Sequence, residues 1–287
     1  MNRIICFLVF AVISIFVSFA SAGEKERLVV EELLITDGVE PAQAKSLMQD
    51  PRILDRPDII IKNLFFSSPK GSAKRPDVMD IRPRLIDQAR VFMAENTERL
   101  AAVEKRFGTS PAIIVAILLI ESRLGTYKMP YHVASAYANL AFMLDPDYLK
   151  EIQARYIKDY PQLAEEATLN RAKRKAMWSA GELAYLIHLA NHLSVDPLSL
   201  SGSFAGAMGP GQFIPSSFWI FGMDAGGDGA ADPLNMADAN FSMGNYLKHY
   251  GWREDAPLEE KRKAIWFYNR SDVYVNTVMT VYGKLKE

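Results

Sequence analysis

Apolar side chains recur every three or four residues along most of this chain, which predicts a mainly helical fold. One stretch departs from that rhythm: Ser110 to Tyr127, S-P-A-I-I-V-A-I-L-L-I-E-S-R-L-G-T-Y. Ser110 and Pro111 are a helix start, an oxygen to cap free N–H groups and then a ring pre-set for the first turn. Ala112 to Ile120 is apolar on every side, so this helix is expected to be buried all round. It is far shorter than the ~20 residues a bilayer requires. Glu121 closes it, and Gly125 lets the chain turn away. A carboxylate ending an apolar helix is costly unless it is paired, neutral or at work. Two readings stand here. Desolvation keeps Glu121 protonated as a general acid, or it pairs with Arg123 in water.

The flanks are less regular. Glu24 to Ile35 and the segment from Pro41 through Met48 have helical spacing, whereas prolines at 51, 57, 69, 76 and 83 suggest an extended, wrapping course. A turn is expected at Pro69-Lys-Gly-Ser. A long amphipathic helix is predicted from about Pro83 to Phe107, stopped by Gly108. Further helices are expected near Ala134–Leu144 and over Met177–Leu193, with a polar surface insertion at about 145–175 between them.

Met1 to Ala22 reads as a secretory leader, with Arg3, an apolar run from Ile4 and a small-residue Ala20-Ser21-Ala22 cleavage site. Cys6 lies too early to carry a lipoprotein anchor, and an uncleaved membrane anchor is the competing reading. Cys6 is also the only cysteine, so the exported chain has no disulfide framework. Without Arg3 the chain has 32 basic against 34 acidic residues, and this balance argues against a nucleic-acid partner. The remaining ~265 residues suffice for one large domain or two small ones.

His188 and His192 share a helical face, but Leu189 stands where a zinc protease needs Glu. No G-x-S-x-G elbow, dinucleotide glycine pattern or P-loop is present. Gly202 to Ser217, G-S-F-A-G-A-M-G-P-G-Q-F-I-P-S-S, is a tight course of small residues. It is expected to leave room for a ligand beside Ser203, Gln212 and Phe213. Asp224-Ala-Gly-Gly-Asp-Gly-Ala-Ala-Asp232 follows calcium-loop spacing: Asp224 at position 1, Asp228 at 5, Gly229 at 6, the Ala230 carbonyl at 7 and Asp232 at 9. Gly226 supplies no oxygen at position 3, and Asn235 replaces the bidentate Glu at 12. A solvated Asp/Gly turn is the competing reading.

The E-S-R-L-G after an apolar helix, the glycine-rich run, the D-x-x-G-D-G loop and N-Y-L-K-H-Y-G-W resemble the lytic murein transglycosylase B family, glycoside hydrolase family 103. The similarity runs from about Ala89 to Tyr274, interrupted by the polar insertion, and is weak over 23–85. The resemblance implies a lysozyme-like helical catalytic core with N-terminal and C-terminal helical additions. The corresponding division is a leader at 1–22, an N-terminal helical and wrapping segment at 23–85 and a lysozyme-like transglycosylase domain at 86–287. It implies cleavage of the β-1,4 bond between N-acetylmuramic acid and N-acetylglucosamine, with Glu121 as the single catalytic group. Sugar contacts fall by the same resemblance on Ser203, Gln212, Phe213, Tyr246, Tyr268, Asn269 and Tyr274. Arg174 and Lys175 stand where the family has a basic pair that could meet lactyl or peptide carboxylates, and Trp178 keeps a stacking face in place of Tyr. A structural calcium ion would draw on Asp224, Asp228, Ala230 and Asp238, with no cofactor needed for the chemistry. The expected setting is a periplasmic monomer acting on peptidoglycan strands, with wall-synthesis proteins as candidate partners.

Glycosidases ordinarily use two carboxylates. No convincing second acid accompanies Glu121, and Glu182, on an amphipathic helix, reads as structural. One acid suffices if the C6 hydroxyl of the muramic sugar attacks its own C1, an intramolecular step with high effective molarity. A water-using muramidase and a non-catalytic peptidoglycan-binding protein are the alternatives.

Overall fold

The computed structural model describes residues 23–65 and 77–287. The leader, Cys6 and the turn at Pro69 lie outside them. The described residues form α1 (Glu24–Thr36), α2 (Pro41–Gln49), α3 (Pro57–Phe65), α4 (Pro83–Glu95), α5 (Thr97–Phe107), α6 (Pro111–Ser122) and α7 (Val133–Ala141). They continue through α8 (Pro146–Tyr156), α9 (Glu166–His192), α10 (Pro215–Phe221), α11 (Met236–His249), α12 (Leu258–Tyr268) and α13 (Asp272–Lys286). The only sheet among them is a pair of two-residue strands, β1 (Tyr131–His132) antiparallel to β2 (Ser201–Gly202), with Tyr131 opposite Gly202. The fold is mainly α.

α6 sits at the centre, because nothing on its surface tolerates water. Ala112 to Leu119 are all buried, and α4, α5, α11 and α13 pack around them. The helix ends where Arg123 (φ 49), Leu124 (φ 61) and Gly125 (φ 80) turn left-handed in succession. That strain at two non-glycine residues swings the chain away immediately after Glu121. A Cβ on Gly125 would also lie 2.5 Å from the Met236 side chain. The start differs from expectation. Ser110 makes no side-chain cap, its hydroxyl is buried without a hydrogen-bond partner, and its N–H instead faces Glu254 Oε1 at 3.4 Å.

Beside this group, α7 packs along α9, with α1 and α3 against them. Several sequence expectations are corrected here. The helix over Pro83–Phe107 is two helices, broken at Asn96, whose side-chain amide bonds the Phe92 carbonyl at 2.7 Å. Gly108 does stop it, at φ 73. The wrapping segment contains α3, because Pro57 begins a helix there instead of preventing one. The polar region at 145–175 is α8, a short 3-10 turn and the first turns of α9, which starts at Glu166 and not Met177. Its inner face is apolar, through Tyr148, Leu149, Ile152, Leu163 and Ala172. Asp145 anchors it by accepting from the Asp147 and Tyr148 N–H groups, both at 2.9 Å.

Candidate active site

Glu121 lies on the last turn of α6, partly exposed, with protein closing in on its other sides. Burial pushes its carboxyl up to about 7, and the Tyr274 hydroxyl opposes this weakly. The C-terminal position adds to the effect, since the helix dipole disfavours an anion there. No second carboxylate contributes to the shift, and Arg123 does not pair with Glu121. Arg123 is exposed beside Tyr127, 6.0 Å from its ring centroid, so the solvated-pair reading is overturned.

Two tyrosines face the carboxyl. Tyr274, in the first turn of α13, has a buried hydroxyl short of regular hydrogen-bond geometry with any described residue. Tyr268, at the end of α12, donates its hydroxyl to the Gly211 carbonyl at 2.5 Å. Burial and the neighbouring Glu121 charge hold both phenols well above the usual tyrosine range, so they stay protonated donors.

Tyr268 also forms one wall of a chamber of about 450 Å³ that Trp178, Gln212, Phe213, Tyr246 and Tyr250 help to line. Phe213 meets Tyr268 at 5.5 Å and Tyr246 at 5.9 Å, each edge to face, and Tyr246 meets Tyr268 at 5.1 Å. Tyr246 is fixed by donating to the Phe267 carbonyl at 2.7 Å. Flat apolar faces with polar rims suit pyranose rings. A larger cavity, about 880 Å³, lies between α4 and the Arg123 turn and is lined mostly by arginines, acids and aliphatic groups, with Phe92 as the single aromatic ring among the described residues of its lining.

The glycine-rich run builds a wall of the chamber, but for a reason other than the expected one. The space its glycines leave is filled by the protein. A Cβ on Gly206 would lie 2.2 Å from the Tyr137 ring, one on Gly209 1.8 Å from the Pro233 carbonyl, and one on Gly202 2.2 Å from that of Ala207. On Gly211 it would press Phe213 at 3.0 Å. The run is therefore tightly packed loop, and side chains supply its groove face. Ser203 is turned inward, its hydroxyl accepting from the Ala205 and Ala207 N–H groups at 3.3 and 3.2 Å. Gln212, at φ 51, donates its amide to the Gly209 carbonyl at 2.9 Å while lining the chamber.

Arg174 and Asn269 are exposed outside the chamber wall. Lys175 places its ammonium 4.9 Å from the Trp178 ring centroid, and desolvation lowers its pKa. Glu182 is buried and occupied, accepting from the Ser216 N–H at 2.9 Å and its hydroxyl at 2.7 Å at the start of α10. Sequence reasoning missed Tyr250, Phe267 and Arg270 as chamber residues. Their signal was adjacency: Tyr250 closes the helix that carries Tyr246, and Phe267 and Arg270 flank Tyr268-Asn269.

The acids of the calcium-type loop are engaged by the loop's own backbone. Asp224 accepts from the Gly227 and Gly229 N–H groups at 2.6 and 2.8 Å, one on each oxygen. Asp238 likewise takes Ala225 at 2.9 Å and Asp232 at 2.8 Å, and Asp228 takes Ala230 at 3.2 Å. Among the described residues no three His, Cys, Asp or Glu side chains gather as a metal-ligand group. The carboxylates expected as ligands, Asp224, Asp228 and Asp238, thus brace the loop through backbone N–H groups, and the Ala230 carbonyl belongs to the same loop.

A mainly helical fold with a glutamate pushed up to about 7 beside an aromatic chamber defines a class, and sequence comparison gives the family. The chain matches the transglycosylase SLT domain over residues 28–264 and belongs to that family. The match starts well upstream of Ala89. Membrane-bound lytic murein transglycosylase B of Escherichia coli K12 is 32% identical over 213 residues, 74% of this chain and 51% of that protein. The chain thus spans about half the length of the curated relative it matches. Among solved structures, the soluble lytic transglycosylase SltB1 of Pseudomonas aeruginosa superposes with TM-score 0.71 at 24% identity, covering 90% of this chain and 98% of that one. Escherichia coli Slt35 in complex with calcium gives 0.68 at 23%, covering 91% and 93%. SltB3 of Pseudomonas aeruginosa in complex with NAG-NAM-pentapeptide gives 0.72 at 19%, covering 93% and 80%. At these identities the likeness is one of fold.

Proposed function

We propose that this protein is a lytic transglycosylase of peptidoglycan, cleaving the β-1,4 bond from N-acetylmuramic acid to N-acetylglucosamine. The observation that carries the reading is the state of Glu121, a carboxyl held near 7 by burial with no second carboxylate contributing to its shift. A group poised near neutral pH can give a proton and take one back. Glu121 protonates the glycosidic oxygen, the C1–O bond breaks, and the N-acetylglucosamine end leaves as an alcohol. The C6 hydroxyl of the muramic sugar then bonds to C1 while Glu121, now a carboxylate, takes its proton. The acid is regenerated, a 1,6-anhydro ring closes and no water is consumed. Tyr274 and Tyr268 hold the carboxyl's setting, and Phe213, Tyr246, Tyr268 and Trp178 offer faces to sugar rings.

The family membership supports this reading, as do the relatives named above, one of them bound to a peptidoglycan fragment. Residues 86–287 carry the reaction, and Ser203 and Gln212 shape the wall by holding their loop. The reading of Met1 to Ala22 as a leader supports a periplasmic setting; no helix among the described residues is long and apolar enough to cross a membrane. Digestion of purified sacculi in H₂¹⁸O, read by mass spectrometry, tests the reaction. Anhydro-muropeptides without ¹⁸O are expected. Reducing ends carrying ¹⁸O as the main product would establish a hydrolase instead.

A further inference from the structure

Among the described residues that line the aromatic chamber, Arg270 alone carries a charge. It is exposed, and makes no ion pair among the described residues, whereas Arg52 and Arg56 are each held by an aspartate at 2.7 Å. Its guanidinium carbon rests 5.3 Å from the Trp266 ring centroid, which gives the side chain a platform without neutralising it. Its field reaches the Tyr246 phenol on the chamber wall. Beyond Trp178 sits a second cation, Lys175. No acid lines the chamber to compete for either.

A guanidinium with five donors in a planar fork is matched by a carboxylate, which it can hold through two parallel bonds. Sugar hydroxyls and acetamides need no such charge. The strand proposed as substrate alternates two sugars, and only the muramic one carries an acidic substituent. That substituent is a lactyl group, free as a carboxylate on peptide-free strands and amide-linked to a stem peptide with its own carboxylates elsewhere.

We propose that Arg270 forms a carboxylate subsite at the edge of the chamber that recognises the acidic substituent of the muramic sugar and so sets the register of the strand. The proposal rests on the transglycosylase reading of Glu121 and names the substrate feature that places the correct bond there. With the muramic carboxylate on Arg270, the ring whose C6 hydroxyl must attack is the one positioned. A strand shifted by one sugar would offer an uncharged residue to the guanidinium.

The test uses the full-length protein, Arg270→Ala and Arg270→Lys, on peptide-free strands and on strands that keep their peptides. Each substrate is used as isolated and after chemical reduction of its carboxyl groups to alcohols. A charge-assisted bond of ordinary strength corresponds to about a tenfold change in KM. Wild-type KM is expected to rise about tenfold on reduction. The Ala variant should start at that raised KM and be indifferent to reduction, and Lys should recover part of the loss. The effect on peptide-free strands identifies the lactyl carboxylate; an effect confined to peptide-bearing strands identifies one on the stem. An Ala-variant KM equal to that of wild type on every substrate, or raised over wild type by the same factor on reduced strands as on unreduced ones, would overturn the subsite. Thermal midpoints exclude misfolding, and mass spectrometry of each digest tests the Glu121 chemistry separately, because anhydro products formed at a raised KM leave that chemistry standing.

Discussion

Glu121 and the acids of the 224–238 loop are the same functional group treated in opposite ways. Glu121 ends an apolar helix at its negative pole, meets no backbone N–H and is pushed up to about 7. Asp224 receives an N–H on each oxygen and is held below the usual carboxylate range, the Gly229 N–H contributing most. Asp238 sits in the first turn of α11, 3% exposed, and bridges Ala225 to Asp232. A carboxyl starved of donors retains its proton and can trade it. One saturated with donors becomes a brace. Residue type does not distinguish the two; the balance of desolvation against the local supply of N–H groups does.

The sharpest break in that comparison is Glu121→Gln. Loss of one general acid or base typically lowers turnover ~10²–10⁴-fold, and here one group performs both roles. The variant is expected to fold and to retain glycan in a pull-down on sacculi, with muropeptide release at background. Release near the wild-type rate would remove Glu121 from the mechanism. Asp238→Asn, by contrast, should leave kcat within a few-fold.

pH sharpens the same contrast. The free enzyme needs Glu121 protonated, and its carboxyl lies near 7. Above that point kcat/KM should fall about tenfold per pH unit. A profile flat from pH 6 to 9 would mean that another group supplies the proton.

Much of this was legible in the sequence, because the strongest features are local. An uninterrupted apolar run ending in Glu has one inexpensive location, the centre of the fold, and that placed α6. The glycine-rich run announced a special loop, but not what fills the space beside Gly206 and Gly209. A missing Cβ makes room for protein and for ligand alike, and only the tertiary structure reveals Tyr137 and Pro233 there. The split at Asn96 was hidden because both halves share an amphipathic face. Arg270 was hidden because an exposed arginine in a polar loop has no periodic signature. The acids of the 224–238 loop showed their spacing, which metal loops and Asx turns share, and not the direction in which their oxygens point.

Stability should divide the two regions as well. With a folded value near 7 and an ordinary carboxylate value of 4.5 when unfolded, Glu121 leaves stability intact below about pH 4.5. As pH rises through 7 the charged form costs up to about 3 kcal/mol, less for its partial exposure. Glu121→Gln escapes that cost. Its thermal midpoint should therefore exceed wild type by several degrees at pH 8 and match it near pH 4.5. Equal midpoints at both would mean a well-solvated Glu121. Asp238→Ala should act in the other direction, orphaning the Ala225 and Asp232 N–H groups for about 2 kcal/mol. A loss of a few degrees is expected at neutral pH.

The smallest expected effect concerns calcium. A ligand that binds only the folded state stabilises by RT ln(1 + [L]/Kd), about 2.7 kcal/mol at a hundredfold excess, which would move the midpoint by several degrees. Calcium needs six or more oxygens converging on one point. In the 224–238 loop both oxygens of Asp224 and both of Asp238 already accept backbone N–H groups, and Gly226 and Asn235 bring no carboxylate to replace them. Each of those oxygens keeps a second lone pair, but so few carboxylates converge on the loop that calcium is expected to bind weakly and little of the gain to be reached. Midpoints in millimolar Ca²⁺ and in chelator are therefore expected to agree within a degree. A rise of several degrees that Asp224→Ala abolishes would show that the loop reopens around the ion, and that its acids are ligands first and braces second.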